Sequence, residues 1–89
     1  MCTMITEKID VAGSGKGSQG WFTIDEANVS YDHPFNAPME HTLNLDFISK
    51  KDGFSNRVAV ELSTEAAKDL VRTITAVLAE AENGGHIVD

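Results

Sequence analysis

Basic residues are scarce in this sequence. Seven lysines and arginines stand against fourteen aspartates and glutamates, for a formal net charge of −7, and Lys50-Lys51 is the one adjacent basic pair. Displacing counterions from nucleic acid takes a stripe of positive charge, and an anionic membrane surface asks for the same. Neither partner is expected here. Cysteine occurs once, as Cys2, which excludes an intrachain disulfide framework. Long apolar runs are absent too. None approaches the roughly 20 residues that span a bilayer, and MCTMITEKID lacks the apolar centre of a signal peptide. An acidic, soluble, cytoplasmic protein is the expectation. The 89 residues suit a single domain over 1–89. A domain of that size buries a modest share of its surface, so pairing into a homodimer is a common way to add buried apolar area.

What is present is patterned most clearly near the C-terminus. In STEAAKDLVRTITAVLAEAENGG the residues at 67, 70, 71, 74, 77, 78 and 81 are apolar, at helical spacing. Ser63 suits the N-cap, Glu65 the positive end of the helix dipole, and Gly84 the stop position. These signals predict a helix over about 64–82, roughly 28 Å long, followed by a flexible tail over 84–89. Its apolar stripe is expected to lie on a sheet.

Two strands precede it. In HTLNLDFIS, His41, Leu43, Leu45 and Phe47 alternate with Thr42, Asn44, Asp46 and Ile48. In NRVAVEL, Val58, Val60 and Leu62 alternate with Arg57, Ala59 and Glu61. KKDGFS, with its Asp-Gly pair, supplies a loop between them. Partners summing to about 105 would set Phe47 against Val58, Leu45 against Val60 and Leu43 against Leu62. Any even slip keeps the apolar sides together, so the pattern fixes the face and leaves the register open.

The first half is less regular. Ile5, Ile9 and Val11 alternate with polar residues as a first strand does, with Glu7 breaking the pattern. WFTIDEANVSYD changes phase: Phe22 and Ile24 share one parity, Ala27, Val29 and Tyr31 the other. Either a one-residue insertion at Asp25-Glu26 reconciles them, as in a β-bulge, or two short strands meet at a turn. Pro34 and Pro38 then bound a loop. The expected fold is α+β: a mostly antiparallel sheet of four or five strands over about 3–62, with one C-terminal helix packed on one face. The other face carries Thr42, Asn44, Asp46, Ile48, Arg57, Ala59 and Glu61.

VAGSGKGSQGWF (11–22) raises the question of a phosphate loop. A Walker loop would require glycine at Asp10 and a hydroxyl at Gly17, and neither is there. Gly15, Gly17 and Gly20 do match a dinucleotide pattern, but that pattern aims a helix N-terminus at pyrophosphate, and Trp-Phe-Thr-Ile reads as strand. A flexible link between strands is the favoured reading. The alternative is a lid that brings Lys16 to an acidic small molecule. Trp21, beside it, is an aromatic suited to a pocket wall. Asn44, Asp46 and Arg57 on the open sheet face complete the candidate ligand-binding set, against the simpler reading of a solvated charge network.

DHPFNAPMEH (32–41) and Cys2 supply the other candidate chemistry. Histidine, cysteine and carboxylate are ligands for zinc-like divalent metals. Cys2, His33 and His41 form a candidate metal set near one end of the sheet, with Asp32 and Glu40 as helpers. No CxxC or HxxxH spacing supports it, so His33 as an exposed loop residue and His41 as a half-buried one bonded to backbone is the favoured alternative. Removal of Met1 would also give Cys2 a free amine, a chelating or nucleophilic pair.

GSGKGSQGWF, YDHPFNAPMEHTLNLDF and RVAVELSTEAAKDLV together resemble a family of small bacterial proteins grouped as a domain of unknown function. The likeness covers nearly the whole chain. It implies no activity, so no residue role is carried over. The residues point to a small non-catalytic binding or accessory module, homodimeric, with no catalytic residue assigned. The alternative is a small metal-binding protein or enzyme with a Cys/His site.

Overall fold

The computed structural model describes residues 5–52 and 56–85. Cys2, Phe54 and the segment 86–89 lie outside the described residues. Strands β1 (Ile5–Gly17), β2 (Gly20–Asp32), β3 (Thr42–Ile48) and β4 (Arg57–Leu62) precede helix α1 (Thr64–Asn83), with a 3-10 turn at Lys50–Asp52 after β3. The strands form one antiparallel sheet in chain order, the expected α+β architecture.

Leu43 pairs with Leu62, Leu45 with Val60 and Phe47 with Val58, so the register left open by the pattern is the one in which partners sum to 105. Continued across β2 and β1, this apolar face adds Tyr31, Val29 and Ala27, then Ile5, Glu7 and Ile9. The opposite face carries Lys8, Asn28, Asp46 and Ala59 in one row and Thr6, Ser30, Asn44 and Glu61 in the next.

The phase change in β2 has a structural counterpart. β2 runs unbroken, and its register with β1 shifts between Asp10 and Gly13, where Val11 and Ala12 stand against Asp25 alone. The extra residue therefore sits in β1. Ile24 and Ala27 are both buried although three apart, which an unbroken alternation does not allow on one face. Beyond the irregularity the hairpin bends toward β4. A Cβ at Gly15 would meet Ile24 Cδ1 at 2.7 Å and Val58 Cγ2 at 3.4 Å. The glycine-rich segment is thus mostly strand, and the link shrinks to Ser18-Gln19 between paired Gly17 and Gly20. Gly20, at φ 115°, adopts the left-handed backbone this tight turn needs.

Helix α1 starts as its sequence predicts: Ser63 Oγ accepts the N–H of Ala66 at 3.1 Å. It ends one residue later than expected. Gly84 keeps right-handed backbone and donates to Glu80 O, while the left-handed residue is Gly85, at φ 72°. Where the structure departs from expectation is in how little of the helix is covered. Its closest neighbours are β3 and β4, its first residue Thr64 donates to Tyr31 Oη at 3.4 Å, and none of its residues is buried. Leu70, Val71, Ile74, Val77 and Leu78 remain 40–64% exposed. Two causes are visible. Only Ser63 separates β4 from α1, so the strand sets the helix's departure. The bent hairpin also brings Gly15 of β1 against Val58, at the far end of the face expected to take the helix.

Candidate functional site

The candidate site is built on the polar face of the sheet. β3 and β4 lie edge to edge there, with Asn44 opposite Glu61 and Asp46 opposite Ala59. Arg57, one step along β4, donates from Nη2 to Asp46 Oδ1 at 2.8 Å. The pair is part exposed, so its attraction is screened and its value lies more in orienting both groups. A cavity of about 360 Å³ opens above it, floored by Asn44, Asp46, Arg57 and Ala59, with Ser30 and Asp32 from β2 and walled by Pro34 and Phe35.

The wall is held by a single carboxylate. Glu61 accepts backbone N–H bonds from Phe35 at 2.6 Å, Ala37 at 2.8 Å and Asn36 at 3.1 Å. Three successive amides turned toward one point make an anion-binding concavity, and here the chain's own side chain fills it. The N–H of Phe35 and then that of Ala37 do most to hold Glu61 below the usual carboxylate range, against a smaller upward push from desolvation. The loop over 33–37 is thereby fastened across the sheet.

A neighbouring cavity of about 320 Å³ shares Asp46 and Arg57 and adds Lys8, Glu26, Asn28 and Ile48. Asn28 Oδ1 is buried with no hydrogen-bond partner among the described residues. Leaving such an acceptor unpaired costs roughly 1–3 kcal/mol, and a donor brought into the cavity would satisfy it. Thr42, fully buried, donates to Asn44 Oδ1 at 2.6 Å and fixes the amide at the site's edge.

Of the ligand-binding candidates, Asn44, Asp46 and Arg57 come together. Lys16 and Trp21 do not join them: they are cross-strand partners at the β1–β2 hairpin end and line neither cavity. Of the metal candidates, His33 and His41 are adjacent, with ring centroids 4.6 Å apart and planes at 27°, and His41 stacks in turn on Tyr31 at 5.7 Å. His33 is exposed, and its Nδ1 lies 3.0 Å from the Glu40 carbonyl oxygen. Stacked rings keep their in-plane lone pairs in offset, near-parallel planes that do not meet at a nearby point, a poor arrangement for sharing an ion. Among the described residues no group of three or more His, Cys, Asp or Glu side chains is placed to hold a metal. Cys2 lies outside them.

Sequence reasoning missed the loop-fastening role of Glu61 and the buried amide of Asn28. Glu61 was visible as a charge on the open face, but its 24- to 26-residue reach to the loop has no local signal. Asn28 gave a faint one, a polar residue in the row that also carries Asp46.

Comparison with known protein families finds a match, over residues 1–87, to a family of unknown function, DUF6295. The chain belongs to this family. Comparisons with curated proteins and with solved structures return no match. The DUF6295 assignment brings no activity with it, so the chemistry of the polar face is the basis for a functional reading. No helix among the described residues is long and apolar enough to cross a membrane.

Proposed function

We propose that this protein is a small non-catalytic binding module, working as a homodimer, whose polar sheet face takes a small polar molecule. The observation that carries the reading is the Asp46–Arg57 pair shared by two adjoining cavities, one of which also holds the unpartnered Asn28 Oδ1. The site offers a cation, a carboxylate and amides around the shared pair, bordered by the loop at Pro34 and Phe35. That mix favours a ligand bearing both a carboxylate and a hydrogen-bond donor, such as an amino acid or a hydroxy acid. Lys16 and Trp21, at the hairpin end, are retained as secondary contacts for a larger ligand.

Ligand-observed NMR with a panel of amino acids and small hydroxy acids tests this. Binding to the wild type that is lost in Arg57→Ala supports the reading, and a panel with no binder at millimolar concentration overturns it.

A second reading is a metal or Cys–His site, for which His33 and His41 lie side by side but would have to turn out of their stacked arrangement to reach one ion. Zinc titration followed by the ring proton signals of both histidines decides it. Simultaneous perturbation that disappears in Cys2→Ser would establish the site.

A further inference from the structure

We infer that the exposed stripe of α1 is the homodimer surface, with two copies of the helix crossing antiparallel about Ile74; this rests on the homodimeric part of the proposed function and gives it a location. The spacing comes first. Ala67, Ile74 and Ala81 recur every seven residues, as do Leu70 with Val77 and Val71 with Leu78. Residues so spaced lie on one side of the helix, and that side asks for a cover, a sheet or a second helix. Yet no residue of α1 is buried within the chain.

The area is sufficient. At 40–64% exposure, Leu70, Val71, Ile74, Val77 and Leu78 leave on the order of 500 Å² of apolar surface uncovered in each chain. Two such stripes facing each other remove about 1,000 Å², the threshold of a specific interface, before flanking side chains are added.

Charge selects the direction. On the flanks of the stripe, Lys68 and Glu82 lie on one side, near the start and the end of the helix, and Glu80 lies on the other, while Glu65, Asp69 and Arg72 lie on the outer side, the last two paired with each other. A parallel pair sets the acidic ends side by side. An antiparallel pair centred on Ile74 sets Lys68 of one copy beside Glu82 of the other, Leu70 level with Leu78, and Ile74 beside itself. The polar sheet face lies outside the stripe, so both ligand sites stay open in the pair.

Light scattering coupled to size exclusion, applied to the full chain and to Ile74→Asp, gives the first readout. A wild type of twice the chain mass that becomes a monomer in Ile74→Asp, with its helical circular dichroism retained, supports the inference. A monomeric wild type at 1 mM overturns both it and the homodimeric reading, whereas a dimer that survives Ile74→Asp overturns the location alone. Neither result bears on the small-molecule reading, which Arg57→Ala tests separately. Cysteine crosslinking in a Cys2→Ser background keeps the inference testable if Ile74→Asp unfolds. Ile74→Cys is expected to crosslink to itself, and Leu70→Cys to crosslink with Leu78→Cys and not with its own copy. Self-crosslinking of Leu70→Cys overturns the antiparallel arrangement.

Discussion

The carboxylate of Glu61 on the outermost strand accepts the backbone N–H of Phe35 at 2.6 Å, and through it one edge of the sheet holds the loop that walls the cavity. Replacing Glu61 with alanine removes the acceptor for three amides at once. Hydrogen exchange at Phe35, Asn36 and Ala37 should then rise at least tenfold, with β2 and β3 unchanged. Unaltered exchange at those three amides would show that the loop is held by something else.

The same bond gives a pH dependence with a definite sign. Glu61 titrates lower in the folded protein than in the unfolded chain, so its contribution to stability is complete above the ordinary glutamate range, about 4.3, and is lost as pH falls through its depressed folded value. Acidification should therefore release the loop before the sheet melts. Amide shifts of residues 35–37, followed from pH 6 downward, are expected to move together with the Glu61 side-chain signal. Independent movement would contradict this coupling.

The bend of the first hairpin depends on glycine at one position and not at its neighbour. Gly15→Val places side-chain carbon against Ile24 and Val58 and is expected to cost about 1–3 kcal/mol in urea denaturation. Gly13→Ala meets nothing within 4 Å and should be close to neutral. Equal costs at the two sites would argue against the hairpin's approach to β4.

The helix boundaries give a third stability test. Ser63→Ala removes the acceptor for the Ala66 N–H and should cost about 1 kcal/mol. Gly85→Ala forces a side chain into left-handed backbone, at a similar cost of about 1 kcal/mol. Gly84→Ala, in right-handed conformation, should cost little. A reversed order at 84 and 85 would shift the helix end by one residue.

The strands and helix were legible because each carries its own period. Leu43, Leu45 and Phe47 announce a face, and the stripe from Ala67 to Ala81 announces a helix, whatever surrounds them. The bulge was legible as a fault in phase between Ile24 and Ala27, but not in which strand held the spare residue, since that depends on β1 as much as on β2. The glycine-rich stretch misled by composition. Its glycines let β1 lie close against Ile24 and Phe22, and closeness between strands leaves no local trace. Among the candidate site residues, the open face announces Asn44, Asp46 and Arg57 by alternation. Lys16 and Trp21 join them on chemistry alone, and the hairpin carries both elsewhere. The helix's exposure was the hardest to foresee. An apolar stripe states that something will cover it, not that the chain's own sheet will.

A single residue, Ser63, joins β4 to α1. That strand bears Val58, Val60 and Leu62 on one side and Arg57 and Glu61 on the other. With one residue between them, the strand that anchors both the ion pair and the loop also fixes where the helix begins.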